Sequence, residues 1–222
     1  MLPAVHMSEH RSGFMRLLCV FLAFLILAPS VFAQTPAVPD ADPDNVLIVQ
    51  LKDGPVVIRM RPDLAPNHVR RIKELVRQGF YDGVAFHRVV PGTLAQTGDP
   101  TGTGAGGSGQ KLKAEFSEEQ HLRGVVSMAR AEDDDSADSQ WFICLKALPD
   151  LNRKYTIWGR VIRGMEYVNN IAAGDPENGH VPDPDRIISA RIEGDPPRPA
   201  KAATPPAPAT KKKAATPGAA AH

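Results

Sequence analysis

Cysteine is nearly missing from this chain: Cys19 and Cys144 are the only two among 222 residues. Two thiols exclude a disulfide-dense scaffold and any cysteine-rich metal centre. Aromatic residues are also scarce, at 6%. An excess of one charge is absent, since 26 Lys+Arg face 25 Asp+Glu, which argues against a bulk nucleic-acid binder. His68, His87, His121 and His180 show no metal-ligand spacing. The acidic stretch Glu132–Asp135 with Asp138 lacks the glycine and the bidentate Glu of an EF-hand, so a solvated loop is expected there. Long apolar runs are missing too, save one of 12 residues, Leu17–Ala28. That run falls short of the ~20 residues that span a bilayer.

Proline is abundant, with 21 residues, and only nine of them lie between residues 46 and 194. The chain therefore divides by composition. Arg11 and Arg16, the apolar run and the small-residue site Val31-Phe32-Ala33 form a signal-peptide pattern over residues 1–33, with cleavage expected near Ala33-Gln34. This implies a periplasmic or secreted protein with no stable membrane insertion after cleavage. Residues 34–45 are Pro/Asp/Ala-rich, as in a linker. Residues 195–222 are Pro/Ala/Thr/Lys-rich and bury too little apolar surface to offset their ordering entropy, so a disordered tail is expected. The formal +1 then splits into +1 for the signal, −4 for residues 34–194 and +4 for the tail.

The remaining segment, 46–194, has the texture of one domain. Val46–Leu51 and Pro55–Met60 are β-branched runs around Lys52-Asp53-Gly54, a hairpin signal. Ala65, Val69, Ile72, Leu75 and Val76 recur at helical spacing, with Pro66 suited to the first turn and Gly79 to the C-terminal cap. Further strands are expected over 84–90, 94–97, 124–129, 139–145, 155–162 and 186–192, and a short helix over 165–171. Eight short strands and two helices favour an antiparallel barrel or sandwich over an alternating α/β sheet.

Few residues announce chemistry alone. Gly102–Gly109 matches G-x-G-x-x-G twice, but Asp99-Pro100 precedes it and no useful helix follows, so a flexible surface turn is expected rather than a nucleotide site. Ser127 and Ser139 lack a nucleophile-elbow context, and Cys144 is expected to be a buried hydrophobe. Arg88 is a cation inside a β-branched strand, and alternation alone does not decide whether it is functional or merely exposed.

The ordered motifs go further. Tyr81–Gly92, Gln96–Gly104, Gly124–Ala129, Ser139–Ile143 and Ile157–Val161 resemble, in sequence order, the signatures of the cyclophilin family of peptidyl-prolyl cis-trans isomerases. The resemblance implies a mainly β fold, a closed eight-stranded antiparallel barrel capped by two α-helices, with the active surface on its outside. It implies isomerisation of X-Pro bonds in folding exported polypeptides, without metal, cofactor or nucleic acid, by a monomer. By matched position, Arg88 is the catalytic arginine and Gln96 the residue that holds it. Phe142, Leu94 and Leu151 wall the proline pocket, and Ala129, Arg130 and Ala131 bind the peptide main chain. Tyr155 stands where many members place His. Thr93 replaces the usual pocket-floor Phe, Arg130 replaces a common Asn, Trp141 replaces a Phe, and Asp150 replaces the Trp of cyclosporin-sensitive members. Thr93 keeps open an alternative, a proline-peptide-binding chaperone module with weak or no turnover.

Overall fold

The computed structural model describes residues 42–196. The expected signal peptide, residues 34–41 of the linker and the tail from residue 197 lie outside the described residues. Eight strands, β1 (Val46–Gln50), β2 (Pro55–Met60), β3 (Arg88–Val90), β4 (Leu94–Thr97), β5 (Val125–Met128), β6 (Trp141–Cys144), β7 (Ile157–Arg163) and β8 (Ser189–Ile192), are joined by helices α1 (Pro66–Arg77) and α2 (Met165–Asn169). They form one sheet in the order β3-β4-β6-β5-β7-β2-β1-β8, every neighbouring pair antiparallel.

Alternation sorts the side chains. Leu47, Val49, Val56, Ile58 and Met60 from β1 and β2 meet Val89, Ala95, Ile143 and Trp158 on the concave face, where α1 inserts Val69, Ile72, Leu75 and Val76. Each fully buried aliphatic side chain there contributes about 1.5–3 kcal/mol relative to exposure. The lean aromatic content is concentrated here: Trp141 stacks edgewise on Phe86, Tyr81 and Trp158.

α1 begins at Ala65-Pro66 with no side-chain cap of its own, which leaves N–H groups of the first turn without partners. Glu115 supplies the cap from 48 residues away, accepting the Asn67 N–H at 3.1 Å and, through its other oxygen, the His68 N–H at 3.1 Å. The same oxygen lies 2.6 Å from Nδ1 of the fully buried His68. Burial holds the His68 imidazole below its ordinary pKa although Glu115 pulls the other way, so the ring is neutral at pH 7. Burial pushes the Glu115 carboxyl up, but the bonds from His68 and Asn67 outweigh it and the net pKa is lowered. Glu115→Ala is expected to cost about 2 kcal/mol, the upper end for a lost cap, measured as a drop in the thermal midpoint.

The barrel does not close, contrary to the expectation from resemblance. The end strands β3 and β8 share no ladder, and the sheet is a curled, open half-barrel. The chain before β3 meets the chain before β8 only through the isolated pair Ala85↔Arg186 and single bonds such as Phe86 N–H to Asp185 O (2.8 Å) and Gly83 N–H to Ile187 O (2.7 Å). The strands expected from residues 84 and 186 accordingly start at Arg88 and Ser189. Pro182 and Pro184 precede β8, and neither can donate to a ladder. The free edge of β3 is covered instead by residues 174–180: the Val89 N–H donates to Gly179 O (2.7 Å) and the Gly174 N–H to Val89 O (2.9 Å). No helix among the described residues is long and apolar enough to cross a membrane.

Candidate active site

Strand register places one row of residues across five strands: Arg88↔Gln96↔Phe142↔Ser127↔Ile157. Directly opposed residues share a face. The neighbouring row, Val89↔Ala95↔Ile143↔Val126, lies in the concave core, so Arg88, Gln96 and Phe142 sit on the convex outside. There they border a second apolar cluster, Leu94, Val125, Phe142, Cys144 and Ile157, flanked by Leu64, Val90, Ala129, Leu148, Leu151 and Tyr155. Burial pushes the Cys144 thiol up to about 12, which leaves it an inert part of this wall. Phe142 is held on two sides, stacked with His121 (6.3 Å between centroids) and edge-on to Tyr155 (6.0 Å). His121 is itself fixed, with Nδ1 3.2 Å from Asn152 Oδ1 and Nε2 3.1 Å from Ser127 Oγ. Its burial lowers the imidazole pKa although the Asn152 contact opposes this.

At the polar end of the groove, Arg88 is clamped. Its Nε donates to Asn178 O (3.0 Å) and its Nη1 to Gln96 Oε1 (3.1 Å). Gln96 Nε2 donates to Gln140 Oε1 (2.9 Å), and Gln140 Nε2 donates to Gly104 O (2.9 Å) and Gly106 O (2.8 Å). Two of the three guanidinium nitrogens are thereby fixed, and Nη2 has no acceptor among the described residues. No carboxylate among the described residues pairs with this arginine.

The glycine loop that anchors this relay is not the flexible turn its composition suggests. Asp99, 1% exposed, gathers the loop around its carboxylate. It accepts from the Thr101 N–H (2.7 Å) and hydroxyl (2.8 Å), the Gly104 N–H (2.7 Å) and the Gly106 N–H (3.1 Å). Burial pushes the Asp99 carboxyl up, but these bonds outweigh it and hold it at about 2. Asp138 does the same one turn later, accepting from the N–H groups of Ser108 (2.7 Å) and Gly109 (2.9 Å) and from the Ser108 hydroxyl. A Cβ at Gly106 would lie 2.1 Å from Asp99 Oδ1. Gly106 and Gly107 serve close approach to the Asp99 and Asp138 carboxylates, while Gly102, Gly104 and Gly109 supply positive φ. Asp138 therefore belongs to this loop, and Asp135 accepts the Ala114 N–H (2.9 Å), so the acidic stretch is only partly a solvated one.

Over residues 46–192 the sequence matches the family described as cyclophilin type peptidyl-prolyl cis-trans isomerase/CLD. The chain belongs to this family. A Brucella suis protein named "Probable peptidyl-prolyl cis-trans isomerase" is 47% identical over 196 residues, covering 82% of this chain and 98% of the relative. Peptidyl-prolyl cis-trans isomerase B of Bacillus subtilis is 41% identical over 128 residues, 56% of this chain and 89% of its own. Among solved structures, a cyclophilin-type isomerase of Cryptosporidium parvum superposes with a TM-score of 0.63 at 29% identity, over 68% of this chain and 99% of its own. The same protein solved in the presence of the dipeptide Ala-Pro gives 0.61, over 66% and 98%. The chain is thus a peptidyl-prolyl cis-trans isomerase.

In this cyclophilin, most residues matched by motif fall on one surface. Arg88, Gln96, Phe142, Leu94, Leu151, Ala129 and Tyr155 all border the groove. Thr93 does not join the apolar cluster. It sits in the β3–β4 turn, its hydroxyl 3.4 Å from Pro91 O, and Leu64, Val90 and Leu148 provide apolar surface that the sequence did not single out. Ala129 and Ala131 have their N–H groups occupied, by Gln140 O (2.9 Å) and Ser136 Oγ (2.9 Å). Between them, the Arg130 main-chain N–H and C=O have no partner among the described residues. Gln140 and Asn178 also escaped the sequence reading. Gln140 lies inside the Ser139–Ile143 motif and was legible as a neighbour of Phe142, whereas Asn178 acts through a carbonyl that any residue could supply.

Asn178 is positioned by the next residue. Gly179 has φ +80°, a conformation that side chains rarely adopt. A Cβ there would meet Val90 Cγ2 at 2.8 Å and Arg88 Cγ at 2.9 Å. Gly179→Ala is therefore expected to displace Arg88 and lower kcat/KM by about tenfold, with a stability loss of about 1–3 kcal/mol from the strained backbone. Both are read by isomerase assay and thermal melt on the same sample.

Proposed function

We propose that this cyclophilin accelerates rotation about X-Pro bonds by aiming the free Nη2 of Arg88 at the prolyl nitrogen while the ring sits against Phe142, Leu94 and Leu151. The observation that carries the reading is the contrast within one guanidinium: two nitrogens held by Asn178 and Gln96, the third unspent at the edge of an apolar groove.

The chemistry needs little else. Amide resonance sets a barrier of ~18–20 kcal/mol, and uncatalysed X-Pro exchange takes ~10–100 s at 25 °C. Millisecond turnover requires about 5–7 kcal/mol off that barrier. In the planar ground state the nitrogen lone pair is delocalised and accepts no hydrogen bond. At 90° of twist it becomes a pyramidal base, and a preplaced guanidinium N–H then finds an acceptor that did not exist before. An interaction available only in the transition state is what lowers a barrier, and fixing the donor beforehand avoids reorganisation when it is needed. Arginine suits the role because it stays charged and its planar fork can be pinned at two corners. Gln96, held by Gln140, is such a pin.

The peptide main chain on the other side of proline lies along the Arg130 edge, whose N–H and C=O are free. The Cryptosporidium relative solved with Ala-Pro supports a proline-containing peptide as substrate. The reading includes no metal, cofactor or nucleic acid, and a monomeric enzyme. The signal pattern over 1–33 supports export to the periplasm or beyond, where the clients are folding exported proteins. Mass measurement of the exported protein should find a chain beginning at or near Gln34, and a retained residue 1–33 segment would overturn export by cleavage.

Titration with an Ala-Pro peptide separates turnover from binding alone. NMR line shapes should show both binding and faster cis-trans exchange, and binding without faster exchange would favour a chaperone module. The unspent Arg88 nitrogen favours turnover, because a groove that only binds proline has no use for a donor aimed at its nitrogen.

A further inference from the structure

Arg130 is the second arginine at the groove, and its chemistry is the reverse of Arg88. Its side chain is 14% exposed and every nitrogen is engaged. Nε donates to Lys154 O (2.9 Å), Nη1 to Ala131 O (2.9 Å) and Glu132 O (2.8 Å), and Nη2 pairs with Asp134 Oδ1 (2.8 Å). The guanidinium carbon lies 4.8 Å from the Tyr155 ring centroid, and Tyr155 in turn stands edge-on to Phe142. A guanidinium saturated in this way has no donor left for substrate. What it does have is a grip on two separate segments, residues 131–134 and 154–155.

We infer that the Arg130 side chain is a positioning residue: a clasp that fixes the 130–134 edge and the Tyr155 wall, and so sets peptide affinity rather than the rate of rotation. Three features carry this. The four acceptors lie on two segments, one following β5 and one preceding β7, so the clasp continues the join between these strands beyond the last bond at that end, Met128 N–H to Thr156 O (2.9 Å). Its own main-chain N–H and C=O are left free between the occupied N–H groups of Ala129 and Ala131. The ring it covers is one of the two that hold Phe142 in place. Loosening the clasp changes how the peptide lies, which the ground and twisted states share, so the loss falls on KM. Lysine cannot replace it, because a single ammonium with three donors cannot span four acceptors and stack on a ring.

The inference rests on the reading that the Arg130 edge takes the peptide, and the experiment separates the two. Wild type, Arg130→Ala, Arg130→Lys, Tyr155→Leu and the Arg130→Ala/Tyr155→Leu double variant are titrated with one Ala-Pro peptide, with Kd and saturated exchange rate taken from the same NMR spectra. Arg130→Ala and Arg130→Lys are expected to raise Kd about tenfold, the scale of losing charge-assisted bonds, with the saturated rate within about twofold. In the double variant the further loss on removing Arg130 should be smaller than the loss that Arg130→Ala causes in the wild type, because part of the clasp acts through the Tyr155 ring, and a full additive loss would overturn that coupling. Asp134→Asn, on a side chain 60% exposed, tests the clasp without endangering the fold and should raise Kd about two- to threefold, as expected for one weakened surface pair. An unchanged Kd in Asp134→Asn and Arg130→Ala, a restored Kd in Arg130→Lys, or a loss confined to the exchange rate would each overturn the clasp. If the wild-type Arg130 amide does not shift on peptide binding, the edge reading fails and the clasp with it; if it shifts while the variants bind normally, the clasp alone fails.

Discussion

Arg88→Ala is expected to lower kcat/KM on an Ala-Pro peptide by at least about 10²-fold, the scale of one transition-state donor, while the protein stays folded. Arg88 projects from the convex face, its side chain bonded among the described residues to Gln96 and to the Asn178 carbonyl, with no carboxylate partner there. Its removal leaves both acceptors at a surface that water reaches, so the fold loses little. On the proposed reading the reaction loses its donor to the prolyl nitrogen. Peptide affinity should change far less, because the apolar wall around Phe142 and the free Arg130 edge remain. Arg88→Lys should recover only part of the activity, since an ammonium cannot donate to Gln96 and Asn178 and still present a fixed third donor. A protease-coupled assay gives the rate, and circular dichroism on the same preparations checks the fold.

Asp99→Ala is expected to have the largest effect on stability, about 3–4 kcal/mol. Five donors converge on this buried carboxylate: the N–H groups of Thr101, Gly104 and Gly106, and the hydroxyls of Thr101 and Thr103. Hydrogen bonds to a charged group contribute about 1.5–3 kcal/mol each; water replaces part of that at the exposed Thr101 and Gly104, and a loss of several kcal/mol marks a broken network around a buried group. The effect reaches the site, because Gly104 and Gly106 also hold Gln140, which holds Gln96. Activity should therefore fall with stability. The carboxyl titrates at about 2 in the folded protein, below the ~3.9 of an unfolded aspartate. A depressed pKa contributes stability that is fully present above about pH 4 and is lost as pH falls toward 2. Urea midpoints measured from pH 5 to pH 2 should decline more steeply for the wild type than for Asp99→Asn.

Much of the fold was legible because local patterns and tertiary packing agree. The Lys52-Asp53-Gly54 hairpin, the helical stripe on α1 and all eight strands follow from periodicity that burial then uses. The strand ends over 84–87 and 186–188 differ from the expectation because these segments meet only through the isolated pair Ala85↔Arg186 and single backbone bonds such as Ile187 N–H to Val84 O (2.9 Å), beside prolines that cannot donate to a ladder. The open edge between β3 and β8 has the same origin.

The site was legible only through ordered motifs. Arg88 and Val89 are indistinguishable by alternation until register assigns one to each face. Gly102–Gly109 has the composition of a flexible turn, and nothing local announces that Asp99 and Asp138 reach in to order it. Glu115 as the cap of α1 and Arg130 as a clasp depend on partners that lie 48 and 24 residues away, beyond any window of periodicity. The common reason is that convergent polar contacts leave no repeating trace in the sequence, whereas apolar faces do.

Arg88 is expected to act on the twisted bond and not on binding. The most direct measurement is cis-trans exchange of a peptide held at equal, near-saturating occupancy on wild type and on Arg88→Ala. Exchange should be lowered about 10²-fold or more on the variant, with Kd within a fewfold of wild type. Exchange at the wild-type rate on the fully occupied variant would contradict it.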